Sequence, residues 1–176
     1  MRRMAFAMAA GMLLVTGTGC GTMVKRTLAE AKGASSKADP IPGTGGASFA
    51  RFGTVNIETP RTELGGLVPS EFNSMLVSEL RKTLTQGKDP VFKGGSPALT
   101  IEPHVMWFNK SGSAFPHKYA VVLFYFKGDG ADLGKLQIVT KSEASGTGAD
   151  DLAEDMAKEL AGYFEKHGKK AEKKKD

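Results

Sequence analysis

Residues 119–126 constrain the fold more than any other part of this chain, because all eight are apolar or aromatic. Successive side chains of an extended segment point to opposite faces, so the segment presents two sets of residues. One set is Tyr119, Val121, Leu123 and Tyr125, and the other is Ala120, Val122, Phe124 and Phe126. Since both sets are apolar, the segment is predicted to be a central strand of a sheet.

Five further segments have the period of a strand or a helix. Alternation predicts strands at residues 52–58, 98–108 and 136–141, and Pro103 indicates that the second of these is an edge or bulged strand. Apolar residues at three- and four-residue spacing predict helices at 68–87 and 151–164, while Gly128-Asp129-Gly130 predicts a hairpin between the last two strands. The order β-α-β-β-β-α predicts an α+β fold (α/β two-layer), with one mixed sheet and both helices on one face.

The first twenty residues have the pattern of an export signal. Two arginines precede a twelve-residue apolar run, and small residues lead directly to Cys20. The run is shorter than the roughly 20 residues that a spanning helix needs. A lone cysteine at this place resembles the lipobox of bacterial lipoproteins, although Gly17 stands where a leucine is usual. The resemblance implies that Cys20 is lipidated and that Gly21 allows transfer to the outer membrane, with the domain facing the periplasm. The alternative is a secreted protein with an incidental cysteine.

Composition divides the rest of the chain. Residues 1–19 are predicted to be the signal peptide, 20–48 a lipid-anchored flexible linker, 49–165 a periplasmic α/β domain, and 166–176 a disordered lysine-rich tail. The signal carries two arginines, and the end of the chain from Glu165 carries six lysines and three acids, so the +5 formal charge leaves the domain itself neutral. No nucleic-acid partner is therefore expected.

Catalytic and metal-binding patterns are incomplete. Ser145-Gly146-Thr147-Gly148 lacks the third glycine and the Gly-Lys-Ser/Thr sequence of a phosphate loop. His104 and His117 are not accompanied by a nucleophile elbow, so each is interpreted as a surface or loop histidine. With one cysteine and three scattered histidines we expect no metal site, and we expect no cofactor.

Aromatic density is the feature with the most functional content. A two-layer domain leaves the second face of its sheet to water, unless the linker or the loop around Phe115 covers it. Tyrosine tolerates a polar rim better than phenylalanine does, so the outward set is predicted to be the one with the two tyrosines. The candidate interface residues are Tyr119, Val121, Leu123, Tyr125, Met106 and Phe108.

Several tracts of the domain resemble bacterial lipoproteins that carry a domain of unknown function, the family numbered 4410. These tracts are Ala98-Leu99-Thr100-Ile101-Glu102-Pro103, Leu133-Gly134-Lys135-Leu136-Gln137-Ile138-Val139, and Ser145-Gly146-Thr147-Gly148-Ala149-Asp150 before a helix ending Leu160-Ala161-Gly162-Tyr163-Phe164. The layout is also similar to the periplasmic domain of the curli secretion lipoprotein. The resemblance implies an accessory domain of the cell envelope, with no catalytic residues to carry over.

These observations favour a non-catalytic binding or scaffolding subunit of an outer-membrane assembly or transport system. Its expected partners are the membrane, through Cys20, and either an envelope protein or further copies of the chain. The alternatives are a carrier for an apolar ligand, which needs an enclosed pocket, and a hydrolase of cell-wall or lipid material that uses His104 or His117.

Overall fold

The computed structural model describes residues 33–42, 49–109, 118–142, 144 and 146–172. Five strands, β1 (Ala34–Pro40), β2 (Thr54–Ile57), β3 (Ala98–Asn109), β4 (Lys118–Gly128) and β5 (Ala131–Ser142), form one sheet in the order β1-β5-β4-β3-β2. Among the strands of the described residues, only β2 and β3 pair in parallel. The helices are α1 (Ser70–Arg81), which continues into a π-helical turn at Lys82–Gln86, and α2 (Ala149–Glu172). The predicted α+β class, the mixed sheet and the two helices are confirmed.

Both helices pack on the same face of the sheet, where all the large buried side chains form one core. The apolar stripe of each helix faces inward, and β4 contributes one of its two sets of side chains. The helix residues in this core include Phe72, Leu76 and Leu80 of α1 and Leu152, Met156, Leu160 and Phe164 of α2; the β4 residues are Ala120, Val122, Phe124 and Phe126. The prediction that this set of β4 faces the core is confirmed. We call the opposite side of the sheet the outer face.

Strand β1 lies within the segment that composition assigns to the linker. It pairs with β5 in antiparallel register from Ala34 opposite Ser142 to Pro40 opposite Leu136. The Ser36 and Thr140 hydroxyls lie 2.5 Å apart, and the Ala38 amide donates to Glu159 of α2. The boundary predicted at residue 49 is therefore wrong, because the folded domain includes residues 34–40.

Helix α2 extends past both of its predicted limits. Helix α2 begins at Ala149, where the Asp151 carboxylate accepts a hydrogen bond from the Gly148 amide at 2.8 Å, and it continues to Glu172. Residues 166–172, which were predicted to belong to a disordered tail, are thus helical. The expected hairpin between β4 and β5 is present: Asp129 and Gly130 have φ of 53° and 76°, as a tight primed turn requires.

Candidate functional site

The outer face of β4 carries the four residues that the alternation assigned to it. Tyr119, Val121, Leu123 and Tyr125 are each half-buried, whereas the intervening residues are buried against the helices. Val121 lies opposite Val139 of β5, which extends the apolar strip sideways. The placement of these four residues agrees with the sequence, while their role as an interface stays a prediction.

A β-bulge in β3 reverses the alternation near its end. Val105 lies opposite Val122, but the next paired residue is Trp107, opposite Val121, so Met106 is the extra residue of the bulge. Met106 and Trp107 are 52% and 50% exposed. Sequence alternation placed Trp107 on the other side from Met106, and it therefore missed Trp107 as an outer-face residue.

The prediction that Phe108 belongs to the candidate interface is wrong. Because the bulge inverts the pattern, Phe108 lies opposite Ala120 on the helix side. Its ring centroid is 4.7 Å from that of Phe72 in α1, and it packs against the core. Pro103 indicated that β3 is bulged, but the bulge lies three residues farther along, and β3 is not an edge strand.

The outer face therefore presents one apolar patch. We define the outer patch as Met106, Trp107, Tyr119, Val121, Leu123 and Tyr125. The charged residues Lys135 and Lys141 of β5 lie opposite Tyr125 and Tyr119 at its border. An apolar centre with a charged rim is typical of a surface that another molecule covers.

An ion pair lies beside the patch on the same face. Lys127 Nζ donates to Glu102 Oε1 at 2.7 Å, and the Glu102 side chain is only 17% exposed. This hydrogen bond lowers the pKa of Glu102 below its usual 4.5, although burial acts in the opposite direction, and it raises the pKa of Lys127 above 10.5. The pair is therefore charged at neutral pH.

We expect Lys127→Met to destabilise the domain at pH 7 and to have a smaller effect in acid. The lowered pKa of Glu102 contributes stability that is present above its ordinary value of 4.5 and is lost as the pH falls through the lowered value. Urea unfolding of both proteins at pH 7, 5 and 3 measures this difference. Lys37→Met is a matched control, because the Lys37–Asp39 pair is 77% and 49% exposed and should contribute little. A difference that does not change with pH would assign the effect to lost packing instead.

The histidines do not form a catalytic arrangement in the part of the chain that the structure describes. His104 Nε2 is buried and has no hydrogen-bond partner, and the His104 ring packs against Tyr125 with 4.6 Å between centroids. His167 packs on the Tyr163 ring, and His117 lies outside the described residues, as does Cys20. Within residues 33–42, 49–109, 118–142, 144 and 146–172, no group of three metal-ligating side chains occurs. No helix of this portion is long and apolar enough to cross a membrane.

The tract at 145–148, which lacks the complete phosphate-loop pattern, has a structural role where it is described. The Thr147 hydroxyl lies 2.5 Å from that of Ser142, and both residues are buried. The Thr147 carbonyl accepts a hydrogen bond from Lys118 Nζ. These contacts fix the connection between β5 and α2.

The chain matches no protein-family model and no curated protein sequence. Among solved structures it is similar to PelC from Paraburkholderia phytofirmans, a dodecamer, with 12% identity over 73% of this chain and 96% of that one, and a TM-score of 0.46. A dodecameric PelC variant from the same organism has 14% identity, over 73% and 95% of the two chains, with the same TM-score. Protein XCC0632 from Xanthomonas campestris, of the family DUF330, has 12% identity over 75% and 89%, with a TM-score of 0.38. These similarities concern the fold alone. The neighbours thus include a protein of a family of unknown function, while the family numbered 4410 stays a prediction.

Proposed function

We propose that this chain is a lipid-anchored protein of the cell envelope whose α+β domain is a non-catalytic binding or scaffolding module. The observation that carries the proposal is the outer patch, which lies on the face of the sheet opposite both helices. Its centre is formed by Leu123 and Val121, and the exposed Trp107 and Met106 lie at one side. Aromatic residues and methionine are enriched at the centres of protein interfaces, so the occupant we propose is a protein surface.

The anchor and the location rest on the sequence. The apolar run, the small residues and Cys20 support lipidation, and two or three acyl chains hold a protein stably on a bilayer. Gly21 supports the outer membrane as the destination. Lipid anchoring would keep the outer patch within the layer of the envelope where the partner is found.

The hydrolase alternative has less support. It requires His104 or His117 to contact a serine or a carboxylate, and among the described residues His104 Nε2 contacts neither. The carrier alternative requires an enclosed apolar pocket beside β4. The cavity that includes Tyr125 has a volume of about 460 Å³, but its lining also includes Arg61, Thr62 and Glu63. A polar lining of this kind does not favour an apolar ligand.

Crosslinking in intact envelopes tests the proposal. We expect the wild-type protein to be crosslinked to one predominant protein, which is either a second species or another copy of this chain. Leu123→Glu places a charge at the centre of the outer patch and should reduce the crosslinked product by at least about tenfold, since desolvating an unpaired charge is costly. Gln86→Glu is the matched control, because it adds the same charge at an exposed position of the turn that continues α1, away from the outer patch.

The anchor forms a separate arm of the same experiment. Cys20→Ser should move the protein from the membrane fraction to an uncleaved or soluble form, and the mature wild-type amino terminus should carry acyl mass. Equal crosslinking of the Leu123→Glu and wild-type proteins would contradict the role of the patch. Unchanged fractionation of Cys20→Ser, together with no acyl mass on the mature wild-type amino terminus, would contradict the anchor alone, so the two parts of the proposal fail separately.

A further inference from the structure

A groove with both polar and apolar lining residues opens at the border of the outer patch, with which it shares Met106 and Tyr125. It lies between residues 104–106 of β3 and residues 61–64, and its volume is about 460 Å³. This is large enough to admit a side chain or a small organic acid. The lining residues are Arg61, Thr62, Glu63, Leu64, His104, Val105, Met106 and Tyr125.

Hydrogen bonds hold the wall of the groove in place before any ligand arrives. The Arg61 amide donates to the Pro103 carbonyl at 2.9 Å, and the Val105 amide donates to the Arg61 carbonyl at 2.8 Å. The Thr62 hydroxyl donates to the Val105 carbonyl at 3.1 Å and accepts from the Leu64 amide at 3.1 Å. Because three of these hydrogen bonds hold the segment on β3 and the fourth fixes the segment internally, little ordering is needed on binding.

His104, which lines the groove, carries a buried polar atom that no described residue satisfies. His104 Nε2 is buried and has no hydrogen-bond partner among the described residues. An unsatisfied buried polar group destabilises the protein, and a ligand that supplied the missing hydrogen bond would remove that cost. The Tyr125 ring is 4.6 Å from the imidazole and has the Lys135 ammonium 4.7 Å from its centroid, so the imidazole is held on an aromatic surface.

The charges at the groove select the kind of ligand. Arg61 is exposed and makes no salt bridge within the described portion of the chain, and Glu102, with which it interacts electrostatically, is already paired with Lys127. A guanidinium is planar and donates two parallel hydrogen bonds, which suits a carboxylate. Glu63 also lines the groove, and its negative charge disfavours a dianion such as phosphate.

We infer that this groove binds a carboxylate group, with Arg61 as the charged contact and the His104 imidazole, which must turn to bring Nε2 to the groove, as the second donor. Tyr125, Leu64 and Met106 form the walls for the apolar part of the ligand. The inference goes beyond the proposed function and does not depend on it, because it concerns a small ligand group and not the partner of the outer patch. A carboxylate can come from the terminus of a peptide or from a free organic acid.

Nuclear magnetic resonance of the purified protein tests the inference through the His104 ring signals, which His104→Gln identifies by their loss. The probes are acetate, the peptide acetyl-Ala-Ala-Leu with a free carboxyl terminus, the same peptide with an amidated terminus, and inorganic phosphate. We expect the free-carboxyl peptide to shift the His104 signals in a saturable way, while the amidated peptide leaves them unchanged. Arg61→Gln should weaken binding about tenfold or more, as expected for loss of a charged hydrogen bond.

Control variants separate the groove from general charge effects. Lys141→Gln removes an exposed cation at the far side of the same face and should leave binding unchanged. Arg61→Lys keeps the charge but loses the two parallel donors of the guanidinium. This variant should therefore bind the free-carboxyl peptide less tightly than the wild type and more tightly than Arg61→Gln. Since the Arg61 side chain is exposed, these variants should keep the wild-type near-ultraviolet circular dichroism.

The possible results give distinct answers. Acetate binding as tightly as the free-carboxyl peptide would support a free organic acid as the source, and much tighter binding of the peptide would support a chain terminus. The inference is overturned if the carboxylate probes cause no saturable shift, if the amidated peptide binds equally well, if phosphate binds more tightly than the carboxylates, or if Arg61→Gln has no effect.

Discussion

Phe124→Ala should lower the free energy of unfolding by about 3 to 5 kcal/mol. Phe124 is fully buried, and it lies in the middle of the central strand with both helices on its side of the sheet. Removing the ring leaves a cavity that the surrounding strands and helices can fill only partly, so the lost transfer free energy and the cavity both count. Urea denaturation of the purified variant measures the change.

Tyr125→Ala is the matched control, because it truncates the adjacent aromatic residue on the outer face. Tyr125 is half-buried and contacts His104 and Lys135. We expect a loss of about 1 kcal/mol, with a larger effect on partner capture or self-association, measured by sedimentation or pull-down. If Tyr125→Ala destabilised the monomer as much as Phe124→Ala and left association unchanged, both faces of the strand would be internal.

Phe164→Ala should have an effect of similar size, about 3 to 5 kcal/mol, although the residue lies far along α2. Its ring centroid is 5.0 Å from Phe49, 5.3 Å from Phe126 and 5.4 Å from Phe92, in edge-to-face arrangements. Edge-to-face aromatic pairs contribute beyond the area that they bury. Thermal and chemical unfolding should both show the loss, whereas Glu165→Ala, at an exposed neighbouring position, should change stability by less than about 0.5 kcal/mol. A small effect of Phe164→Ala would mean that this aromatic cluster is dispensable.

The parts of the fold that could be predicted from the sequence are those in which many side chains repeat one period. In β4 the choice between two apolar faces followed from chemistry, since a phenol hydroxyl can meet water and a phenyl ring loses more by doing so. Phe124 and Phe126 are accordingly buried, and Tyr119 and Tyr125 are on the outer face. The helices are similarly amphipathic, and their inward stripes are those that the spacing indicated.

Strand β1 could not be predicted because its sequence lacks the usual strand residues. Alanine, serine, lysine, aspartate and proline are weak strand formers, and no large apolar residue alternates along it. Its stability comes from backbone pairing with β5 and from small residues, such as Ala38, that let α2 approach closely. Such contacts depend on residues more than a hundred positions away, which a local pattern does not contain.

The bulge at Met106 explains why the candidate site was only partly predicted. One extra residue moves every later side chain of β3 to the opposite face. Trp107 therefore joins the outer patch and Phe108 leaves it for the core. Nothing in the local sequence distinguishes Met106 as the inserted residue, because its neighbours Val105 and Trp107 are apolar as well.

Because β1 belongs to the sheet, the tether between a lipid on Cys20 and the folded domain would be short. With Cys20 as the anchor, only residues 21–33 separate the lipid from Ala34, and a coil of that length has an r.m.s. span of about 20 Å. The eleven residues of β4 extend about 36 Å, so the r.m.s. span of this tether would be shorter than the length of the sheet along its strands. Ala34 lies at the end of the sheet where β4 begins and β5 ends. With Cys20 as the anchor, the lipid would therefore be joined to the domain at that end of the sheet, whereas the Asp129-Gly130 turn lies at the opposite end.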